Sequence, residues 1–313
     1  MLLCVATCEA ANDDEVPCSI DRRQFLSASL LLIGWRPCVA LADSSIVPVK
    51  IQPQLAPDQR SYDPSDERLR EAAQLLQKAL NATDVQTEEA LWTELIEKYG
   101  RVDANWVPDV VGRAWGNRGN ARSRQGKLDQ ALSDYNEAIR ICPWSVDPVL
   151  NRGVILETQG RFEEAIRDYR AVLDAEPNDP SAWNNLGNAS GGLGRWKEAV
   201  EYYGKAAVLA PAFSFAVANR ALAMYQLGQT NESIREMRTL LRRYPDFDDM
   251  RAALAAALWE ADKLGDAETN WGRVGDPRYK DKQWLRTKRR WPPRILADLE
   301  AFLDIRRVPE ASA

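Results

Sequence analysis

The chain has 313 residues, of which 45% are hydrophobic and 28% charged, and its formal net charge is -5. This balance is typical of an ordinary globular protein, and the negative charge argues against a nucleic-acid partner. The sequence contains no histidine, which excludes histidine-based catalytic triads and every histidine-containing metal site.

The first 42 residues have the order of parts that is typical of a cleavable export signal. Residues 21–26 read DRRQFL, residues 27–33 are apolar, and residues 40–42 read ALA, a small-x-small cleavage site. The apolar stretch is too short to span a bilayer as a stable anchor. The arginine pair in front of it resembles the twin-arginine address for export of folded proteins. Residues 1–42 are therefore predicted to be removed on export.

Two destinations are compatible with this signal, the bacterial periplasm and, behind a transit peptide, the thylakoid lumen. Transit peptides are poor in acidic residues, whereas residues 1–20 contain four. Import into a plastid would therefore predict a Ser- and Arg-rich extension upstream of Met1. Four of the five cysteines also lie in residues 1–42, which leaves Cys142 as an expected buried filler and predicts no disulfide or cysteine metal site.

The stretch between the signal and the central part of the chain divides into two segments. Residues 43–64 contain four prolines and are predicted to form an extended tether. Residues 65–110 contain two helical patterns, at 65–80 and 87–99, each with its apolar residues on one face. These two helices are predicted to form an N-terminal capping pair.

Residues 111–247 consist of four units that repeat at an interval of 34 residues. Each unit ends in proline and has glycine at its fifteenth position; the prolines are Pro143, Pro177, Pro211 and Pro245, and the glycines are Gly126, Gly160, Gly194 and Gly228. Such units are predicted to be two helices joined by a tight turn, because proline cannot continue the second helix. Small residues at positions eight and twenty allow the helices to approach closely, and tyrosine at position twenty-four is expected to pack toward the next unit.

With tryptophan at the fourth position in two units, Trp115 and Trp183, this pattern resembles the tetratricopeptide repeat (TPR). The resemblance implies an all-α fold, a right-handed superhelical α-solenoid of helical hairpins with capping helices at both ends. Asp147 and Asp179, each followed by proline, are expected to cap the first helix of the second and third units.

Asparagine occupies the sixth position of every unit and, two residues before the close-packed position eight, is expected to face the concave surface. The candidate partner-binding residues are Asn117, Asn120, Asn151, Asn184, Asn185, Asn188, Asn219 and Arg113. An amide both donates and accepts hydrogen bonds, and TPR proteins with such rows hold the backbone of extended peptides. The resemblance thus implies a protein or peptide partner; the alternative is that these asparagines are solvated or stabilise neighbouring helices.

Arginine occupies the seventh position in three of the four units, as Arg118, Arg152 and Arg220. These side chains are expected at a helix flank, with their stems along the surface. Gly116 and Ser181 stand where TPR domains that grip acidic C-termini carry bases. That subtype is therefore not expected.

The C-terminal part of the chain is predicted to contain three segments. Residues 248–275 continue the repeat with Asp262 in place of the mid-repeat glycine, and are predicted to be a degenerate fifth unit. Residues 276–291 are basic and aromatic, and residues 292–307 are predicted to form a last helix.

Two interpretations of the basic segment are open. In the preferred one, Trp284 and Trp291 fold back to cover the end of the solenoid. In the other, the segment makes a peripheral contact with an anionic membrane surface or an acidic partner, and the residues concerned are Arg286, Lys288, Arg289 and Arg290.

Export together with TPR units and a tail rich in Arg, Trp and Pro resembles TPR proteins of the thylakoid lumen, some of which assist assembly or upkeep of photosynthetic complexes. The expected function is therefore a non-enzymatic interaction scaffold without cofactor or metal, with a bacterial periplasmic adaptor as the alternative. An enzyme that uses Glu163 and Glu164 as paired carboxylates is the least favoured class, because neighbouring helical residues diverge by about 100°.

Overall fold

The computed structural model of the protein describes residues 49–305, so the export signal predicted in residues 1–42 lies outside the described residues. Between residues 49 and 305 the secondary structure is helical and contains no strand. The all-α class predicted from the repeat is confirmed. None of the helices in this range combines the length and apolar character needed to cross a membrane.

The elements form one continuous series of helices in chain order. The α-helices are α1 (Glu67–Leu80), α2 (Val85–Tyr99), α3 (Val107–Arg124), α4 (Leu128–Ile141), α5 (Asp147–Thr158), α6 (Phe162–Ala175), α7 (Pro180–Gly192), α8 (Trp196–Leu209), α9 (Ser214–Gln226), α10 (Thr230–Arg243), α11 (Asp248–Glu260), α12 (Leu264–Trp271), α13 (Lys282–Trp284) and α14 (Pro293–Ile305). Short 3-10 turns cover Pro53–Leu55, Gln59–Ser61 and Pro277–Lys280, and a π-helical turn, Leu285–Arg289, continues α13.

Helices α3 to α12 pair into five hairpins, each packed against the next. The first helices of neighbouring hairpins also touch directly, α3 with α5, α5 with α7 and α9 with α11. The first helices therefore line one surface of the solenoid, which is the concave groove. The preceding pair, α1 and α2, packs against α3 and covers that end of the array.

The turn inside each hairpin requires a left-handed backbone, and four of the five hairpins use glycine there. The φ angles are +75° at Gly126, +76° at Gly160, +74° at Gly194 and +82° at Gly228. A side chain is disfavoured in this region, and glycine adopts it freely. In the fifth hairpin Asp262 takes the same position with φ of 56°, as the repeat phase predicted.

Glycine at the eighth position makes room for the tyrosine of the same hairpin. A Cβ added to Gly153 would lie 2.6 Å from Cε1 of Tyr169, and Gly119 and Gly187 face Tyr135 and Tyr203 in the same way. The rings also share apolar clusters with the next unit, as predicted, Tyr135 with Ile155 and Tyr203 with Ala223. The alanines at position twenty, Ala131, Ala165 and Ala199, are fully buried, which fits the predicted close approach.

One of the two predicted N-caps is present. Asp179 accepts hydrogen bonds from the backbone N–H groups of Ser181 and Ala182, at 2.7 and 2.9 Å. The prediction for Asp147 is wrong, because α5 begins at Asp147 itself and its side chain makes no capping bond. Cys142 is buried, as expected, with Sγ donating to the Pro108 carbonyl at 2.9 Å.

The described part of the predicted tether, residues 49–64, is packed against the solenoid. Ile51 is 7% exposed and shares an apolar cluster with Val149 and Leu150 of α5. The Gln52 N–H donates to the Pro143 carbonyl at 2.8 Å, and Tyr62 is buried beside α1 and α2. The segment contains two 3-10 turns, and its apolar side chains have burial sites on the repeats, so it differs from an extended free tether.

The C-terminal helix closes the other end of the array. Ile295, Leu299 and Phe302 form the predicted apolar stripe of α14 and are buried against α11 and α9. Since α9 and α11 are the first helices of their hairpins, α14 lies against the concave surface rather than only across the last hairpin. The C-terminal half of the groove is therefore filled by the chain itself.

Candidate binding groove

The asparagines predicted to line the groove form two hydrogen-bonded groups. In the first group, Asn151 Nδ2 donates to Asn120 Oδ1 at 3.0 Å, which joins α5 to α3. Asn120 Nδ2 in turn reaches Asn117 Oδ1 at 3.5 Å. The amide row thus links successive hairpins.

The second group repeats this arrangement two hairpins further along. Asn219 Nδ2 on α9 donates to Asn184 Oδ1 at 3.2 Å and to Asn188 Oδ1 at 3.4 Å, both on α7. Asn184 Nδ2 donates to Asn185 Oδ1 at 3.3 Å. The sixth-position asparagines of the second and fourth hairpins therefore bridge to the hairpin before them.

These bonds leave a free amide group on four of the asparagines. Within residues 49–305, the Nδ2 groups of Asn117, Asn185 and Asn188 and the Oδ1 of Asn151 have no hydrogen-bond partner. An extended peptide presents alternating N–H and C=O groups, which such donors and acceptors can pair. Structural bridging and ligand binding are therefore compatible along α3, α5 and α7.

The tyrosines at position twenty-four carry their hydroxyls into the same surface. Tyr135 donates to Asn120 Oδ1 at 2.8 Å and Tyr203 donates to Asn188 Oδ1 at 2.9 Å. Both reach the groove because the glycine at position eight leaves a passage for the ring. Burial raises the pKa of both phenols, so they remain hydroxyl donors that hold the amides in place.

The third tyrosine of this series contacts a carboxylate instead of an amide. The Tyr169 hydroxyl donates to Glu157 Oε2 at 2.9 Å. The other oxygen of Glu157, Oε1, accepts from Arg290 Nη1 at 2.5 Å. Burial raises the pKa of Glu157, and the charge of Arg290 acts in the opposite direction. Glu157 was not among the predicted site residues, and its partner lies 133 positions away in the sequence.

The residues that contact the groove from the C-terminal side form the C-terminal arm, defined as residues 282–294. Arg289 makes a two-pronged ion pair with Asp249, in which Nε lies 2.8 Å from Oδ1 and Nη2 lies 2.6 Å from Oδ2. The same Nη2 also donates to Asn219 Oδ1 at 3.0 Å. Trp291 Nε1 donates to Asp249 Oδ1 at 3.0 Å. The arm thus enters the groove at the point where the second asparagine group ends.

The residues proposed for an anionic surface separate into two sets. Arg289 and Arg290 point into the groove, where Asp249 and Glu157 bind them. Arg286 remains on the outside, with a side chain that is 66% exposed and 3.8 Å from Glu300, and Lys288 follows it on the same turn. Trp291 is buried and covers the end of the solenoid.

The arginines at position seven are not at a helix flank, which corrects that prediction. Arg118 and Arg152 are buried and make two-pronged ion pairs with Asp134 and Asp168 on the second helix of the same hairpin, at 2.7 to 3.0 Å. Arg220 is only partly buried, and its Nε donates to Oε1 of Glu236 at 2.8 Å, with Nη2 on the same oxygen. These charges are used inside the hairpins and do not face a ligand.

The other candidates have local roles. Arg113 is half exposed, and its Nε donates to Asp109 Oδ1 at 2.8 Å one turn earlier in α3. Glu164 pairs with Arg161, whereas Glu163 is exposed and lies 3.7 Å from Arg195, so the two carboxylates do not converge. In the described part of the chain, no cluster of cysteine, aspartate and glutamate side chains could hold a metal ion.

Comparison with known proteins identifies the repeat. Models of the tetratricopeptide repeat match residues 112–145, 150–215 and 219–280, which together make up just over half of the chain. No protein with a curated description matches the sequence.

Several solved structures share the arrangement of helices. A tetratricopeptide repeat protein from Parabacteroides merdae superposes with a TM-score of 0.57 at 18% identity, over 77% of this chain and 95% of its own. The APC/C hetero-tetramer Cut9-Hcn1 gives 0.56 at 17% identity, over 74% of this chain and 42% of that chain. PilF of Pseudomonas aeruginosa superposes with a TM-score of 0.51 at 19% identity, over 66% of this chain and 95% of its own. At these identities the likeness concerns the fold alone.

Proposed function

Because the chain belongs to the tetratricopeptide-repeat proteins, we propose that it is an interaction scaffold that holds a segment of another protein along α3, α5 and α7. TPR proteins generally mediate protein–protein interaction. The observation that carries this proposal is the amide row, in which Asn117, Asn185 and Asn188 keep free donors and Asn151 keeps a free acceptor within the described chain. The partner segment would lie extended and be recognised mainly through its backbone.

The test uses a double substitution in the amide row. Crosslinking followed by mass spectrometry in the native compartment identifies the bound segment, which is then synthesised as a labelled peptide for affinity measurements. Asn151→Ala with Asn185→Ala is expected to weaken binding about ten- to thirtyfold, since two lost hydrogen bonds contribute about 1 kcal/mol each. The helical content by circular dichroism should not change.

The chain offers a matched control for this experiment. Asn178 and Asn231 are exposed and lie away from the amide row, so alanine at both positions should leave the affinity within twofold. Equal affinity of the Asn151→Ala, Asn185→Ala variant and the wild-type protein would refute binding through the amide row.

The site of action that we propose is the thylakoid lumen, with assembly or maintenance of photosynthetic complexes as the role. The support is the order of signal parts in residues 1–42, with Arg22 and Arg23 in front of the apolar stretch. Lysine at both arginine positions is expected to block import into isolated thylakoids, measured as loss of the processed form. Recovery of a photosystem subunit as the crosslinked partner would support the role, and its consistent absence would count against it.

A bacterial periplasmic adaptor is the second candidate, favoured by the acidic residues of segment 1–20. Fusion of residues 1–42 to a reporter distinguishes the two. Export from bacterial cells without any upstream extension supports the periplasm, and dependence on a plastid transit peptide supports the lumen.

A further inference from the structure

Within residues 49–305, two carboxylates of the groove receive guanidinium groups only from the C-terminal arm. Among the described residues, Glu157 is bound by Arg290 and Asp249 is bound by Arg289. The acids that serve the hairpins behave differently, because Asp134 and Asp168 pair with arginines of their own hairpin. The groove therefore contains acids whose cationic partners are supplied from a distant part of the sequence.

The repeat itself does not require acids at these two positions. In the other three of the four units, the residues equivalent to Glu157 are Ser123, Gly191 and Tyr225. The residues equivalent to Asp249 are Arg113, Asp147, Ser181 and Phe215. Since the hairpins fold with such different side chains there, the two acids are best explained by what they bind.

Both acids are shielded from water and are suited to planar cations. Glu157 is 7% exposed and Asp249 is 1% exposed. A buried carboxylate is costly unless a cation and hydrogen bonds compensate it. Arg289 uses two nitrogens on Asp249 and one on Asn219, which is the forked geometry that guanidinium provides and ammonium does not.

The tip of the arm is held in a backbone conformation that favours release. Arg290 has φ of 54°, in the left-handed region that residues other than glycine seldom adopt, and it follows the π-helical turn Leu285–Arg289. Its side chain is 40% exposed, so a competing group can reach Glu157 as Arg290 leaves. The contact between Arg290 and Glu157 is therefore the point at which the arm opens first.

We propose that Glu157, Asn219 and Asp249 form a binding site for consecutive arginine side chains of the partner segment, and that Arg289 and Arg290 occupy this site until the partner displaces them. This inference rests on the proposed function, and it specifies the chemistry of the partner. A segment lying along α3, α5 and α7 would extend directly into the site, because Asn219 belongs both to the amide row and to the site.

The experiment measures binding of a defined peptide to the full chain. The probe is a fluorescein-labelled Gly-Ser-Arg-Arg-Ser-Gly peptide, and a Lys-Lys version serves for comparison. Arg290→Ala removes the occupant of Glu157 and should bind the arginine probe at least about tenfold more tightly than the wild-type protein, since the site no longer has to be vacated. Arg286→Ala removes an equal charge from the exposed side of the arm and should bind like the wild type.

A second variant tests whether the gain comes from the acid itself. Glu157→Gln in the Arg290→Ala background keeps the size of the side chain and should return the affinity to the wild-type level or below. Circular dichroism and thermal melting of both variants show that the solenoid remains folded. The lysine probe should bind several-fold more weakly to the Arg290→Ala protein.

The proposal is overturned if Arg290→Ala binds the probe no more tightly than the wild type, or if Glu157→Gln leaves the gain in place. Equal affinities of the arginine and lysine probes for the Arg290→Ala protein would overturn the preference for guanidinium groups. These outcomes are separate from the proposed scaffold function, which would stand if the crosslinked partner still depends on Asn151 and Asn185.

Discussion

Alanine at the twentieth position is where the two helices of each hairpin come closest. Ala165 is fully buried and lies beside the ring of Tyr169 in the same apolar cluster. Ala165→Leu is expected to lower the free energy of unfolding by roughly 1–3 kcal/mol, because three added carbon atoms force the helices apart. Urea denaturation measures the change.

A control for this substitution exists on the surface of α2. Ala90 is exposed in the middle of that helix, so Ala90→Leu adds the same volume without a packing conflict and should change the free energy of unfolding by less than about 0.5 kcal/mol. Equal midpoints for the two variants would mean that position twenty does not set the hairpin distance.

The fifth hairpin carries a strained residue that glycine would relieve. Asp262 has φ of 56°, the position that glycine fills in the other four hairpins. Left-handed backbone costs about 1–2 kcal/mol for most residues and less for aspartate, so Asp262→Gly should stabilise the protein by roughly 0.5–1 kcal/mol. Thermal melting measures the gain, and Gly160→Ala, the reverse change, should lower the melting temperature. A lower melting temperature for Asp262→Gly would contradict this account.

At the residue scale, the sequence predicted local structure best where one backbone conformation or one packing contact requires a particular residue type. The glycines at position fifteen predicted the left-handed turns, and the phase of the repeat placed Asp262 in the same conformation. The partner of the Tyr169 hydroxyl could not be predicted in this way, because the repeat does not tell which side chain lies beyond the gap that the ring fills. Only the structure shows that its ring passes Gly153 and that its hydroxyl reaches Glu157.

At the scale of the element, the hairpins are locked by buried ion pairs that one repeat replaces with apolar residues. The pairs Arg152–Asp168 and Arg118–Asp134 join the seventh and twenty-third positions. In the third hairpin these positions hold Leu186 and Tyr202, which share an apolar cluster. Both solutions fit the same helix packing.

This replacement predicts that a single substitution in an ion pair lowers the free energy of unfolding, whereas a matched double substitution does not. Asp168→Asn leaves the Arg152 charge buried without its partner and should cost about 3–5 kcal/mol of unfolding free energy. Arg152→Leu combined with Asp168→Tyr copies the third hairpin and should be neutral or stabilising. Urea denaturation of the two variants checks the difference, and a double variant less stable than Asp168→Asn would disprove the equivalence.

The ion pairs between positions seven and twenty-three, which the sequence analysis did not predict, are indicated by a pattern in the sequence. Positions seven and twenty-three hold Arg and Asp in two units, Leu and Tyr in the third, and Arg and Glu in the fourth, so the two positions change together. The docking of the extended segment around Ile51 had no such signal. Four prolines predict an extended chain, but they do not tell whether its apolar side chains find a burial site.

At the scale of the whole molecule, the groove is divided between an open half and an occupied half. The first helices α3, α5 and α7 keep free amide groups, whereas α9 and α11 are covered by the arm and α14. The tip of the arm also reaches α5, where Arg290 pairs with Glu157. The repeat interval predicted the solenoid and its concave face. It could not predict the occupant, because the bond between Arg290 and Glu157 joins residues 133 positions apart and belongs to no repeat.

The C-terminal arm should respond to pH through Glu157, the partner of Arg290 on α5. Burial raises the pKa of this carboxyl above its ordinary value of 4.5, while Arg290 and the Tyr169 hydroxyl oppose the shift. As the pH falls through the raised pKa the carboxylate becomes neutral, and Arg290 loses its charged partner. The folded chain then binds a proton more readily than the unfolded chain, so Glu157 itself stabilises the fold at lower pH.

Release of the arm and global unfolding therefore move in opposite directions over the same pH range. Hydrogen exchange of the amides of residues 286–291, corrected for the intrinsic rate, should be faster at acidic than at neutral pH, while the melting temperature does not fall because of Glu157. In Glu157→Gln the arm should exchange quickly at both values, since the neutral amide imitates the protonated acid. Arg289 remains bound to Asp249 in that variant, so the loss of protection should be largest at Arg290 and not spread to α14. Protection of Arg290 that is the same at both pH values in the wild-type protein would show that this ion pair does not hold the arm.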